Sequence, residues 1–109
     1  IGPNPSFIKN FAYSGSADAY GGVIYSDGDI SFSDGATFIN NYAKTSGGAI
    51  TMGGKCDLLA LTKDVLFSGN MAGGVVIGQS DDGFPVVENG IANAIDMNGS
   101  LFPHFIRPI

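Results

Sequence analysis

Two adjacent carboxylates, Asp81 and Asp82, are the side chains of this chain most suited to acid–base chemistry. A glycoside hydrolase uses one carboxyl group to protonate the leaving oxygen and another to activate water. Neighbours in a strand point to opposite faces, so this pair would need a further group from elsewhere in the chain. His104, the only histidine, and Arg107, the only arginine, both lie near the C-terminus. We therefore expect no catalytic residues and no enzyme activity.

The other patterns that could hold a ligand are incomplete. The segment from Asp27 to Ser31 alternates oxygen-bearing side chains as a calcium loop does, but Phe32 stands where that loop needs glycine and no glutamate closes it. A corner turn is the simpler interpretation. The glycine pairs precede neither a helical pattern nor a Lys-Ser/Thr pair, so they are no phosphate cradle. We expect no metal and no cofactor.

Composition narrows the class of partner. The 109 residues are 44% hydrophobic and 14% charged, which is typical of one folded domain or a piece of one. The net charge of −5, with only five Lys and Arg, argues against nucleic acid as a partner. No apolar run reaches the roughly 20 residues of a membrane-spanning helix, so this segment should not insert into a membrane.

The single cysteine, Cys56, excludes an internal disulfide. Its simplest interpretation is a small buried hydrophobic residue. A disulfide between two chains is the alternative for an exported protein with an odd cysteine. Self-association through Cys56 therefore stays open.

A repeat must position all of these side chains. Its skeleton is F-x-x-N-x-A followed by G-G-[AV]-[IV], and the middle copy runs from Phe38 to Ile50. A fourth, eroded copy follows in Val86–Asn89 and Ala92–Ile95, where Asn93 stands for the second glycine. The motif residues of the three clear copies are Phe7, Asn10, Gly21 and Gly22; Phe38, Asn41, Gly47, Gly48, Ala49 and Ile50; and Phe67, Asn70, Gly73 and Gly74.

A short repeat of this kind cannot bury its own apolar face and predicts a solenoid. Runs of β-branched and aromatic residues between Gly, Asp, Asn and Ser indicate strands and turns. If layers stack about 4.8 Å apart, the phenylalanines form a buried column and the asparagines a ladder of amides. The glycines fit turns with positive φ or close backbone contact. The residues expected to point inward are Phe38, Phe67, Ile50, Val76 and Ile95.

These motifs resemble the F-x-x-N and G-G-A-[ILV] repeats of the chlamydial polymorphic membrane proteins, a family of autotransporter adhesins. The resemblance spans residues 7–97, and Gly47 to Ile50 fit the glycine motif without deviation, whereas the other two copies have Val in place of Ala. It implies that the all-β solenoid is a right-handed parallel β-helix, for which the copies give about four coils over residues 1–97. The 98–109 tail no longer carries the repeat, and its bulky apolar residues suggest a capping segment over the last coil. The resemblance also implies an exported passenger at the cell surface or outer membrane, or secreted, that binds host structures.

Loops leaving the stack are where we expect binding, because the motif side chains should serve the architecture. The long Ala12–Gly21 spacer should bulge out and expose Tyr13 and Tyr20, and Gly78–Gly83 forms a second, irregular loop. The expected partner is a host-cell surface protein or glycan, and copies could also associate through the ends of the stack. The alternatives are a structural spacer without a ligand and a polysaccharide-active enzyme.

Overall fold

The computed structural model describes residues 4–13, 17–32, 35–53, 58–60, 65–96 and 104–106. These ranges contain strands and turns but no helix, and hence none able to cross a membrane. The chain is all-β, as predicted. The strands are β1 Ser6–Ile8, β2 Phe11–Ala12, β3 Ile24–Ser26, β4 Ile30–Ser31, β5 Thr37–Ile39, β6 Tyr42–Ala43, β7 Ile50–Met52, β8 Leu58–Ala60, β9 Leu66–Ser68, β10 Met71–Ala72, β11 Val75–Gln79, β12 Pro85–Glu88, β13 Ile91–Ala92, β14 Ile95–Asp96 and β15 His104–Ile106.

Equivalent strands of successive repeats pair in parallel. The F-x-x-N strands form the order β1-β5-β9, and the short strands that follow them form β2-β6-β10. Two further parallel sheets have the orders β3-β7-β14 and β4-β8-β15. The repeat therefore places like residues one above another, as the sequence predicts.

Corners with positive φ keep these strands short. Lys9, Asn40 and Gly69 occupy the same place in successive copies and have φ of 55°, 55° and 67°. Glycine and asparagine enter this left-handed region at low cost, whereas lysine does so less readily. Each F-x-x-N strand is thus followed by the same turn. Stacking imposes this turn even on Lys9, whose side chain disfavours positive φ.

One apolar core lies between the sheets. Its fully buried members include Phe38 and Ile50, and Phe67 and Ile95 pack against it, as predicted. Strand β7 is buried along its whole length because β3 and β14 pair with its two edges. The middle layer therefore has the most complete surroundings.

The third copy leaves this arrangement after Ala72. Strands β11 and β12 pair antiparallel with each other as a hairpin, with a register shift after Val76. Val76 pairs with Val87 there, so its predicted place in the stacked core is wrong. Gly78 and Gln79 belong to β11, so the predicted irregular loop at Gly78–Gly83 is also wrong and shrinks to the turn after Gln79.

Backbone conformation explains the departure. Both glycines of the third pair, Gly73 and Gly74, have positive φ, of 76° and 70°. In the middle pair only Gly47 does. The second left-handed residue redirects the chain away from the position below β7, and the hairpin follows.

The fourth copy does not begin a fourth layer. Ile95 pairs with Ile50, and Ala94 accepts hydrogen bonds from the N–H groups of Ala49 (2.9 Å) and Ile50 (3.0 Å). Val86 and Val87 lie in the hairpin rather than below Phe67, and β13 pairs antiparallel with β10. Among the described residues the parallel rows are three strands deep, whereas the sequence predicted about four coils.

Some predicted features lie outside the described residues. These are Cys56, Arg107 and most of the 98–109 segment. The backbone of His104–Ile106 forms β15 parallel to β8. The capping role of the C-terminal segment stays a prediction.

Candidate functional site

The phenylalanines of the F-x-x-N motif form the predicted aromatic column. The ring centroids of Phe7 and Phe38 lie 5.0 Å apart with planes 19° from parallel, and those of Phe38 and Phe67 lie 4.7 Å apart at 6°. Phe32 adds an edge-on contact to Phe38 at 5.2 Å. The column is core packing, and the ring of Phe38 offers nothing to a partner because it is fully buried.

The asparagines form the predicted ladder of amides. Asn41 Oδ1 accepts from the backbone N (2.8 Å) and Nδ2 (3.1 Å) of Asn10, and Asn70 Oδ1 accepts in the same way from Asn41 N (3.1 Å) and Nδ2 (2.8 Å). Nδ2 of Asn41 also donates to Phe7 O, and Nδ2 of Asn70 to Phe38 O. Asn41 and Asn70 are buried, so these bonds satisfy amides that water does not reach.

The glycine motif has two separate roles. Gly47 adopts φ of 67°, which favours glycine, and a Cβ there would lie 2.5 Å from Ile50 O. Gly48 has no positive φ, but a Cβ on it would lie 2.4 Å from Met71 O and 2.6 Å from Met71 N. The first glycine therefore makes the turn, and the second lets two layers approach each other.

The spacer between Ala12 and Gly21 is less free than predicted. In its described part, Ala19 O accepts from Thr45 N (2.8 Å) and Ala19 N donates to Thr45 Oγ1 (3.0 Å). Tyr20 forms an isolated parallel bridge with Ser46. Residues 17–20 thus return to the second layer and hold Tyr20 in a fixed place, where its side chain is half-buried rather than exposed as predicted.

Tyr20 packs against an aromatic residue that the sequence analysis did not single out. The rings of Tyr20 and Tyr25 meet edge to face at 6.0 Å, and 56% of Tyr25 is exposed. The Tyr20 hydroxyl donates to Asp18 Oδ2 at 3.5 Å, and the negative charge of Asp18 raises the pKa of Tyr20. We call Tyr20 and Tyr25 the tyrosine patch. The alternation in β3, with Ile24 packed on the core, could have indicated that Tyr25 faces outward.

Tyr13 has different neighbours. It is exposed, as predicted, and its phenol lies close enough to Tyr42 to add to the raised pKa of that residue, after the larger effect of burial. The Tyr42 hydroxyl donates to Gly73 O at 2.7 Å. The structure therefore does not join Tyr13 and Tyr20 into one aromatic surface through any described contact.

The paired carboxylates lie at the hairpin turn. Asp82 accepts hydrogen bonds from Ser80 Oγ and Phe84 N, and its Oδ2 lies 3.3 Å from Lys9 Nζ. The hydroxyl of Ser80, then the N–H of Phe84 and Lys9, lower the pKa of Asp82 to about 2. A carboxyl group held ionised in this way is a poor general acid at neutral pH. Its contacts fit a turn-stabilising role.

The described residues contain no group of three or more His, Cys, Asp or Glu side chains placed to hold a metal ion. Asp27, in the segment that resembles a calcium loop, lies where a Cβ on Gly53 would meet its carboxylate. The Ser26 hydroxyl donates to Gly28 O at 2.8 Å and accepts from Gly28 N at 3.0 Å. This local bonding is that of a corner turn.

Comparison with known proteins gives one match. Residues 35–51, which contain β5, β6 and the middle glycine motif, match the model of the Chlamydia polymorphic membrane protein repeat. No curated protein and no solved structure matches the chain. The match falls on the copy whose glycine motif fits without deviation, and it points to a surface-exposed or outer-membrane protein. The resemblance is thereby confirmed: this chain carries a repeat of the Chlamydia polymorphic membrane protein type.

Proposed function

We propose that the chain is part of an exported adhesin passenger that binds a host-cell surface protein or glycan. The observation that carries the proposal is the repeat match at residues 35–51, because the resemblance to these repeats implies a surface adhesin. The motif residues themselves form the aromatic column, the ladder of amides and the backbone turns. Binding therefore falls to side chains that the stack holds at its surface.

The fold that we propose for this passenger is a right-handed parallel β-helix. The strands of four parallel sheets follow one another in the same order in each layer, and three of these sheets contribute residues to one core, which supports a coiled path. The excursions after Ala12 and Ala72 both leave between the same two strands of the repeat. Insertions at one corner are typical of a stack that tolerates loops where it faces solvent.

The tyrosine patch is the contact surface that we favour. Tyrosine offers a large area at low conformational cost, and Tyr20 is anchored by its bridge to Ser46 before any partner arrives. Asp18 lies beside it, and Asp96, which accepts from Ser46 Oγ at 2.5 Å, lies close enough to add to the raised pKa of Tyr20. Carboxylates around the patch favour a neutral or basic partner over an anionic glycan.

The test is binding of chain-coated beads to epithelial cells. Changing both Tyr20 and Tyr25 to Ser should remove binding with only a small fall in the melting temperature, because Tyr25 is exposed and the main loss is the contact between the two rings. Tyr13→Ser is the matched control and should bind as the unchanged chain does. Gly47→Val should lose both binding and stability, since its Cβ would meet the backbone of Ile50. Undiminished binding by the double Ser variant would contradict the assignment of the patch.

An inert spacer is the second candidate. It is favoured by the fact that the motif phenylalanines and asparagines and the middle glycine pair serve packing, hydrogen bonding or turns within the stack. Beads that never bind, whatever the variant, would favour it. We propose further that the chain is not an enzyme; release of new sugar ends from a polysaccharide panel would overturn this, and Asp81 and Asp82 would be the first residues to change.

A further inference from the structure

A second apolar cluster lies on the outside of the stack. Phe11, Tyr42 and Met71 are in register across β2, β6 and β10. Alternation along these two-residue strands turns them away from the face that carries the small side chains of Ala43 and Ala72. The sheet thus presents a column of three large apolar side chains on its outer face.

The β11–β12 hairpin lies over this column. The rings of Phe84 and Phe11 meet edge to face at 5.6 Å, so the hairpin turn reaches the first layer. The ion pair between Lys9 and Asp82 adds a second contact there. At the other end, a Cβ on Gly90 would lie 2.6 Å from the methyl group of Met71, which shows how closely the chain passes over the third layer.

Hairpin and sheet do not fill the space between them. A cavity of about 190 Å³ remains, open to the surface, and its apolar lining residues are Tyr42, Met71, Phe84, Pro85 and Val87. Asn40 and Asn41 are its polar lining residues. Both amide atoms of Asn41 are engaged in the ladder, so the side chain of Asn40 remains to meet a ligand.

We propose that this cavity binds a single aromatic ring that carries one polar substituent. An engineered apolar cavity of about 150 Å³ holds a benzene ring, so this volume admits a ring with a small group. Aromatic side chains and the thioether of Met71 give a ring favourable contacts, and Asn40 offers the substituent a hydrogen bond. The site shares no lining residue with the tyrosine patch, and it does not depend on the chain being an adhesin.

The methionine methyl groups provide a direct test. With isotope-labelled methionine in the full chain, addition of p-cresol at millimolar concentration should shift the NMR signal of Met71, which lines the cavity. Met52 is fully buried in the core between the sheets and should not respond. Toluene should bind more weakly than p-cresol because it lacks the polar group. N-acetyltyrosinamide distinguishes two sources of the ring, a tyrosine side chain of a protein and a free small molecule. A site for protein side chains should bind it as well as p-cresol, whereas a site for small molecules alone should not bind it.

Two neighbouring residues of β12 supply the variants. Val87 lines the cavity and Val86 is exposed on the opposite face, so Val87→Phe should fill the site and Val86→Phe should leave it open. We expect Val87→Phe to weaken p-cresol binding by about tenfold or more, within the small affinity that a ligand of this size can have. The proposal is overturned if p-cresol leaves Met71 unchanged, if Met52 shifts equally, or if the two variants bind alike. Should Val87→Phe not fold, the Met71 and Met52 signals of the unchanged chain decide.

Discussion

The three asparagines of the amide ladder should differ in how much each contributes to the free energy of unfolding. Asn41→Ala removes four side-chain hydrogen bonds, of 2.8 and 3.1 Å to Asn10 and of 3.0 and 2.8 Å to Phe7 and Asn70. Each contributes about 0.5–1.5 kcal/mol net, and a buried group without a partner costs about 1–3 kcal/mol. In this variant Asn10, which is exposed, can form hydrogen bonds with water instead. Asn70 Oδ1 still accepts a hydrogen bond from the backbone N–H of residue 41. The expected loss in the free energy of unfolding is therefore about 2–4 kcal/mol.

The end of the row provides the matched control. Asn10→Ala removes only the bond from Nδ2 to Asn41 Oδ1, since the backbone N–H stays, and should cost about 0.5–1 kcal/mol. Asn70→Ala removes three bonds at a buried site and should fall between the two. Urea denaturation followed by far-ultraviolet circular dichroism measures all three. Equal losses for Asn10→Ala and Asn41→Ala would refute the reasoning, because they would show that burial and bond number do not set the cost.

Three further predictions concern other parts of the stack. Gly48→Ala should lower the free energy of unfolding by about 3 kcal/mol in urea denaturation, because the new Cβ meets backbone atoms of the next layer. Gly28→Ala, whose Cβ would lie 3.9 Å from Ser26 Oγ, should change it by less than about 0.5 kcal/mol. Phe38→Ala should cost about 3–5 kcal/mol by the same measurement, since it removes a fully buried ring stacked on both faces. The pKa of Asp82 is lowered from 3.8 to about 2, so its stabilising effect is present above pH 3.8 and is lost as the pH falls through about 2. NMR signals of the hairpin turn should report that loss, and Asp82→Asn should abolish this pH dependence.

The stacked part of the fold could be predicted because the repeat fixes it. Phe38 and Asn41 recur with equivalents on both sides, so their rows follow from spacing alone. Asn93 is predicted to take the position of the second glycine in the fourth copy. The hydrogen bond from Gly48 N to Asn93 O, at 2.6 Å, is consistent with that position. The position of a residue in the fold could therefore be predicted wherever the repeat places an equivalent residue in a neighbouring layer.

The hairpin could not be predicted from the same motif. Gly73-Gly74-Val75-Val76 has the form of a stacking segment, and nothing within these four residues distinguishes a stacked strand from one side of a hairpin. What differs is the sign of φ at Gly74 and the pairing of Val76 with Val87, which depends on residues well downstream. Tyr25 lies outside both the repeat motif and the spacer, and the signal for its exposure is its alternation with Ile24, which packs on the core.

The amide row has a consequence for assembly, since it has a head and a tail. In both described steps the N–H groups of one asparagine donate to the Oδ1 of the next, from Asn10 to Asn41 and from Asn41 to Asn70. The aromatic column alone has no such direction, because a ring stacks equally well from above or below. A repeat unit added upside down would match the phenylalanines yet set like groups against each other at the asparagine, acceptor against acceptor before Asn10 or donor against donor after Asn70. The asparagine side chains thus fix the orientation of each repeat unit as well as holding the units together. They disfavour an inverted unit that the apolar core alone would accommodate.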